Sequence, residues 1–284
     1  PITRLDMYAL ETLGALKIDL LGLRTLTLLQ HMEQRVKEVD GAFSLQEIPL
    51  QDAKTCEMLG AGRSLGVFQL ESELFQDLLC KLRPGSFQDL VALLALGRPG
   101  PLKMFPDYVA RRDRCSKIRY PHPVLGEILD ETYGLILYQE QVMLIASRVA
   151  GFTLGEADIL RSDLAKGESR VTETWRERFV QGVQTKSGLS APEAEKLFAK
   201  VAKFSGYAFN KAHSVSYAKI TWQAAYLKAH YPGAFFATLL NEGRSGKDRE
   251  LLLRDAQASG LTIVPPSVFH SSSETVWQGD ELRL

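Results

Sequence analysis

The chain has 284 residues, of which 34 are basic, 34 acidic and 45% hydrophobic. That length allows one large domain or two ordinary ones, and the apolar content supports a packed core and excludes a disordered chain. With the charges balanced, no global field draws the protein to a polyanion or an acidic membrane, so only local patches can carry electrostatic function.

In chain order the pattern is mainly helical. Residues 1–13 are weakly helical, and residues 15–21 (ALKIDLL) read as a strand buried on one face, with Lys17 and Asp19 sharing the other. A helix is predicted over 24–38, where Leu26, Leu29, Met32 and Val36 recur at helical spacing. Helices over 52–59 and 71–82 flank a glycine-rich GAGRSLGVFQLES segment, which reads as a tight turn leading into a strand at Val67-Phe68. A short apolar helix over 87–96 stops at Gly97-Arg98-Pro99-Gly100-Pro101. A basic linker over 103–120 and a helix around 124–131 follow.

Val142, Ile145, Ala146 and Val149 mark an amphipathic helix, and another runs through Trp175, Phe179 and Val183. Ser190-Ala191-Pro192-Glu193 is a capping box that opens a helix packing Leu197, Val201 and Phe204. Ser214 is read as the cap of the next helix, which ends near Tyr231-Pro232; residues 241–247 are a polar connector. The final TVWQGDELRL reads as a strand, a turn at Gly279-Asp280 and the start of a second strand. The apolar runs 90–96 and 234–240 are too short to cross a bilayer, so no membrane partner is expected. Cys56, Cys80 and Cys115 show no metal-type spacing and read as reduced thiols of a cytoplasmic protein.

The strongest functional signal is residues 198–231, which hold five lysines, two histidines and eight aromatics without one Asp or Glu. Lysines attract phosphate and aromatics offer flat faces to bases, so the stretch points to a nucleotide or nucleic acid. Within it Lys211 and His213 are assigned to function, just before a helix whose free N–H groups favour anions; Trp222 and Tyr226 are assigned to core. Lys17-x-Asp19 reads either as a surface ion pair or as a metal-binding carboxylate beside a phosphate-facing lysine, and the spacing by itself favours the former. No Asp-x-Asp occurs to complete a two-metal set. Arg98 in the rigid GRPGP turn suits phosphate or is incidental, with equal weight. Arg161 and Lys166, five residues apart at a helix end, form either a phosphate clamp or a solvated basic pair. Tyr138-Gln139-Glu140-Gln141 is a polar helix start.

Taken together, KIDLLGLRTL, LGVFQLES, RPGPL, YPHPVL, ETYGLILYQEQVM, GFTLGEADILR, GYAFNKAHSVSYA, YLKAHYP and VPP resemble, in this order, the bacterial replicative C-family polymerases, the DNA polymerase III alpha subunits. The resemblance covers essentially the whole chain and implies a piece of something longer. Residues 1–24 would be the end of the palm, with a short strand; 25–241 the helical fingers; 242–284 the end of the fingers, with a small hairpin-like segment leading toward a helix-hairpin-helix region. It implies template-directed nucleotidyl transfer from a dNTP to a primer 3′-hydroxyl with two Mg²⁺ ions. Asp19 would be a catalytic metal ligand, its companion carboxylates lying upstream, and Lys17 would face the nucleotide. Arg98, Tyr138, Arg161, Lys166, Tyr207, Asn210, Lys211 and His213 would be the nucleotide-binding positions.

The implied partners are primer–template DNA, dNTP and, through regions outside this chain, other replisome subunits including the sliding clamp, in the bacterial cytoplasm. Lacking two carboxylates, the piece by itself is expected to be inactive. Three departures from the family pattern stand out: Ser162-Asp163 where it has cationic and apolar positions, a shortened loop at Lys103-Met104, and Gly97 in place of an aromatic. These departures motivate the alternative of a degenerate, non-catalytic DNA-binding module.

Overall fold

The computed structural model describes residues 2–167, 169–242 and 246–284. In these residues the helices are α1 (Met7–Thr12), α2 (Arg24–Lys37), α3 (Ala53–Gly60), α4 (Glu73–Leu82), α5 (Phe87–Leu96), α6 (Phe105–Arg112) and α7 (Pro123–Leu129). They continue as α8 (Gln139–Arg148), α9 (Leu154–Lys166), α10 (Ser169–Ser187), α11 (Ala191–Ser205), α12 (Lys211–His230), α13 (Pro232–Asn241) and α14 (Gly246–Ala258). Three short strands, β1 (Thr262–Val264), β2 (Val276–Gln278) and β3 (Glu281–Arg283), close the chain. The mainly helical expectation holds, and the helix starts follow from local chemistry. Asp52, Ser72 and Ser86 cap α3, α4 and α5 by accepting from the backbone N–H three residues on. Thr153 with Glu156, and Ser190 with Glu193, make reciprocal capping boxes for α9 and α11.

Two apolar cores organise the helices. The larger centres on α5, α12 and α13, with α2, α3, α4, α14 and the sheet around them. Helix α5 is buried on nearly every side and α13 from Gly233 to Leu240, which is what uniformly apolar helices require. Trp222 sits here at 1% exposure, donating to the Pro49 carbonyl at 2.8 Å, with Phe87 edge-on to its ring. The smaller core joins α7 to α11 through Val142, Ile145, Leu160, Phe179, Phe198 and Val201. At the C-terminus β3 lies between β1, parallel to it, and β2, antiparallel, in the order β1-β3-β2. The expected hairpin across Gly279-Asp280 is therefore present, and buried Leu282 anchors it to the larger core.

Lys228 is a charge inside that core. Its ammonium donates to Asp255 at 2.6 Å and to the Leu65 carbonyl at 2.7 Å, between the rings of Phe235 and Phe236. Burial pulls its pKa below the ordinary value, and Asp255 opposes that shift. The pair clasps α12 to α14 and to the turn before Gly66. Gly66, at φ +74°, has no room for a side chain, because a Cβ would lie 2.6 Å from Leu239 Cδ1.

Several local expectations are corrected. Residues 15–21 form no strand: no described segment pairs with them, and Leu16, Ile18, Leu20 and Leu21 are between 71% and 93% exposed. A strand needs a partner ladder, and alternation along one segment cannot supply it. Val67-Phe68 lies in consecutive turns, because Ser64 Oγ donates to the Leu70 carbonyl at 2.6 Å and curls the chain. The linker over 103–120 contains α6, whose buried Phe105 and Tyr108 outweigh its basic surface. Asn210, not Ser214, caps α12; the Ser214 hydroxyl instead donates to the Val91 carbonyl on α5. The polar connector is cut short by α14, which begins at Gly246. No described helix is long and apolar enough to cross a membrane.

Removing one partner of a buried ion pair costs more than replacing its charge by an apolar group. Asp255→Asn is therefore expected to destabilise by about 3–5 kcal/mol and Lys228→Met by less, read from urea midpoints. Glu156 carries a pH signature. The Arg178 guanidinium, with Thr153, holds its carboxyl down to about 2. A lowered folded pKa means that its stabilising contribution is complete above the unfolded value and is lost as pH falls through about 2. Arg178→Ala is expected to raise the Glu156 midpoint in a carboxyl NMR titration; an identical midpoint would remove Arg178 as the cause.

Candidate nucleotide and nucleic-acid interface

One edge of the molecule forms where the loop after α5, the turn before α12 and the start of α8 converge. Two backbone bonds hold it. Phe209 N–H donates to the Leu137 carbonyl at 2.9 Å, and Gln139 N–H to the Phe209 carbonyl at 2.9 Å. Buried Gln141 secures the same segment from below. Its Oε1 accepts from Leu137 and Tyr138 N–H at 2.9 and 3.0 Å, and its Nε2 donates to Thr132 Oγ1 at 2.8 Å.

Six predicted residues meet on this edge. Arg98 donates from Nη2 to the Tyr207 carbonyl at 3.0 Å and from Nε to the Ala95 carbonyl at 3.1 Å, with its guanidinium 4.1 Å above the Phe209 ring. Burial lowers its pKa from the ordinary arginine value, though the group stays protonated at working pH. Gly100 adopts φ +94° with Tyr207 packed on it, and a Cβ there would lie 2.6 Å from that ring. Asn210 accepts from His213 N–H at 2.7 Å as the cap of α12. The His213 ring stacks on Tyr217 with centroids 4.2 Å apart and meets Phe209 edge-on. Arg98 and His213 line a pocket of about 250 Å³ together with Phe75, Phe209 and Tyr217.

Two expectations about this edge change. The start of α12 is not open to a ligand anion: Lys211 N–H donates to both Glu140 carboxylate oxygens at 3.1 and 3.0 Å, and Lys211 Nζ pairs with Glu131. An internal carboxylate already uses the helix dipole. Tyr138 is buried at 3% exposure, its pKa pushed up by burial with Glu131 and Glu140 adding to the shift. It supports Lys211 from beneath, with Nζ 5.7 Å from its ring, and presents no face to a ligand.

The remaining predicted residues lie elsewhere. Arg161 and Lys166 sit on α9 and pair with Asp158 at 2.8 Å and Asp163 at 3.3 Å. Asp163 also accepts from Trp175 Nε1 at 3.1 Å, and that bond foremost holds its pKa below the usual range. The acid that departs from the family pattern thus ties α9 to α10. Gly97 has a similar explanation: a Cβ there would lie 2.5 Å from the Phe75 ring, so that ring takes the space an aromatic at 97 would need. Lys17 and Asp19 form an exposed ion pair at 3.5 Å on the N-terminal arm. Among the described residues no group of three His, Cys, Asp or Glu side chains could hold a metal ion. One exposed carboxylate does not fit a two-ion centre unaided.

A larger cleft, about 630 Å³, lies away from these positions. Lys196, Lys200 and Lys203 of α11, Arg111 of α6, and Lys117 and Arg119 all line it. The basic linker over 103–120 and the lysine-rich stretch from 198 held all of these cations except Lys196, but the sequence did not join them into one site.

Residues 25–187 match the finger domain of bacterial DNA polymerase III alpha subunits. The chain belongs to this family. It is 42% identical over 273 residues to the DNA polymerase III subunit alpha of Halalkalibacterium halodurans, covering 95% of this chain and 24% of that protein. The corresponding subunit of Thermus aquaticus is 43% identical over 289 residues, covering 99% of this chain and 24% of its own length. That of Aquifex aeolicus is 42% identical over 281 residues, at 98% and 24%. The chain spans about a quarter of the length of these alpha subunits. The matched finger-domain region takes in the Arg98 loop, Tyr138 and the α9 cations, while Tyr207 to His213 follow it in the chain.

Gln141→Leu is expected to destabilise by roughly 2–4 kcal/mol, since it leaves the buried N–H groups of Leu137 and Tyr138 without partners. Chemical denaturation checks this, and a loss below about 1 kcal/mol would show the segment to be held otherwise.

Proposed function

We propose that this chain supplies the fingers of a DNA-directed DNA polymerase, in which the Arg98 edge receives the incoming dNTP. The observation that carries this is the convergence of Arg98, His213, Phe209 and Tyr217 on one pocket in a chain of this family. A guanidinium supplies a cationic donor and an imidazole a further ring N–H for a triphosphate, and the stacked aromatic faces suit a nascent base pair. Tyr207 and Asn210 shape the pocket wall through the Gly100 contact and the α12 cap. Lys211 reaches a phosphate by exchanging Glu131 for it. Arg161 and Lys166 would likewise have to leave Asp158 and Asp163.

Asp19 would contribute one carboxylate to a Mg²⁺ site completed by carboxylates outside these residues, with Lys17 facing the nucleotide. The two ions, when bound, would neutralise the triphosphate and activate the primer 3′-hydroxyl. The partners of this reading are primer–template DNA, dNTP and other replisome subunits in the bacterial cytoplasm.

Primer extension by the complete polymerase polypeptide tests it. Arg98→Ala is expected to lower kcat/KM for dNTP by about 10- to 100-fold, the worth of one charge-assisted contact at roughly 1.5–3 kcal/mol, with Arg98→Lys recovering part. Glu131→Gln releases Lys211 and is expected to lower KM. Unchanged kinetics in both Arg98→Ala and His213→Ala would take this edge out of the active site.

A further inference from the structure

We propose that the cleft between α11 and residues 117–121 is a channel for single-stranded DNA, gripped by its phosphates and lined at the base for its nucleobases. Its volume of about 630 Å³ is ligand-sized. On one wall Lys196, Lys200 and Lys203 recur at i, i+4 and i+7, which places them on one face of α11. At 1.5 Å rise per residue that row is about 10 Å long. The other wall is extended chain. Ile118 and Tyr120 turn inward, Ile118 Cγ2 lying 2.8 Å and the Tyr120 ring 3.4 Å from where a Cβ on Gly134 would be. The alternating Lys117 and Arg119 are exposed. Arg111 also lines the cleft, donating to the Tyr133 carbonyl at 3.2 Å.

These six cations differ from most others in the molecule. None of them makes an ion pair with a described residue, whereas Arg24, Arg148, Arg176, Arg178, Lys211 and Lys228 each face a carboxylate. Two acids, Asp107 and Glu193, also line the cleft, and Glu193 is engaged by Ser190 N–H and Oγ at 3.0 and 2.6 Å. Cations spread along two walls suit a chain of phosphates rather than one phosphate group. Four of the six are lysines, point charges that hold a backbone without selecting a geometry. Beneath the cations Tyr120 and Phe204 are half-buried rings that make an apolar floor, backed by buried Leu125, Leu129, Ile136 and Leu197 of the smaller core. A duplex keeps its bases stacked inside and offers that floor only phosphates, whereas a single strand can lay bases on it.

The choice of DNA among single-stranded polyanions rests on the polymerase reading; the choice of a single strand does not. The test is fluorescence anisotropy of labelled oligo(dT) with this chain over a range of salt concentrations. The triple variant Lys196→Gln, Lys200→Gln, Lys203→Gln is expected to weaken binding about tenfold or more at low salt. It should also flatten the log–log salt dependence by about 2, at roughly 0.7 for each single-strand phosphate that is no longer neutralised. All three side chains are exposed, so the fold is retained, and far-UV circular dichroism verifies it. The charge-matched control Lys37→Gln, Lys54→Gln, Lys81→Gln is expected to leave the slope as it was. Equal slopes in the two triple variants would overturn the channel, and a hairpin duplex competing as well as oligo(dT) would overturn the single strand. Loss of oligo(dT) binding in the α11 variant, with normal nucleotide incorporation in Arg98→Ala and His213→Ala, would take the Arg98 edge out of the active site and leave the channel standing.

Discussion

Two backbone hydrogen bonds between Phe209 and residues 137–139 hold the functional edge together. They join the segment that starts α8 to the turn that starts α12, and so connect the two apolar cores. Leu137 packs in the larger core, Ile136 in the smaller, and Phe204 touches both. Backbone groups withdrawn from water must find partners, and here the partners lie about seventy residues apart in sequence. Arg98, Tyr207, Asn210, Lys211 and His213 take their places from that junction. Gln141 repeats the constraint with its side-chain amide, which explains why a polar residue is retained at 1% exposure.

Charge is settled over distance rather than along the chain. The stretch 198–231 contains no acid of its own, yet Lys211 meets Glu131, Lys228 meets Asp255, His230 meets Asp52 and Tyr231 meets Asp40. Folding therefore neutralises part of what looked like a uniform basic face. Of the lysines left without an ion pair among the described residues, Lys200 and Lys203 line the cleft with Lys196, Lys117 and Arg119, while Lys219 lies outside it. The electrostatic asymmetry of the molecule lies in that cleft more than at the start of α12, where Glu140 already occupies the free amides.

The departures from the family pattern look different once packed. Asp163 receives the Trp175 indole and Lys166, and so joins neighbouring helices. Gly97 leaves room for Phe75, which brings an aromatic ring to the Arg98 pocket from α4. Both substitutions that read as losses in the sequence have structural employment. For Ser162 nothing in the structure supplies a reason.

The helices were legible because their signals are local. Apolar spacing, a capping serine or aspartate and a breaking glycine or proline act within one or two turns, so α2, α3, α4, α5, α8 and α11 could be read with little error. The failures were relational. Residues 15–21 alternate like a strand, but strand pairing is a property of two segments. Ser214 resembles a cap, but the carbonyl of Val91 claimed its hydroxyl. Of the candidate site, Arg98 and His213 could be named from their motifs, whereas the burial of Tyr138 and the pairing of Lys211 could not. By itself the sequence determined most of the helical stretches and the family they belong to, but not α6, α14 or the start of α12. Only the tertiary structure decided which cations are cancelled and which stand free, because Coulomb energy depends on distance in space and chain order carries no record of it.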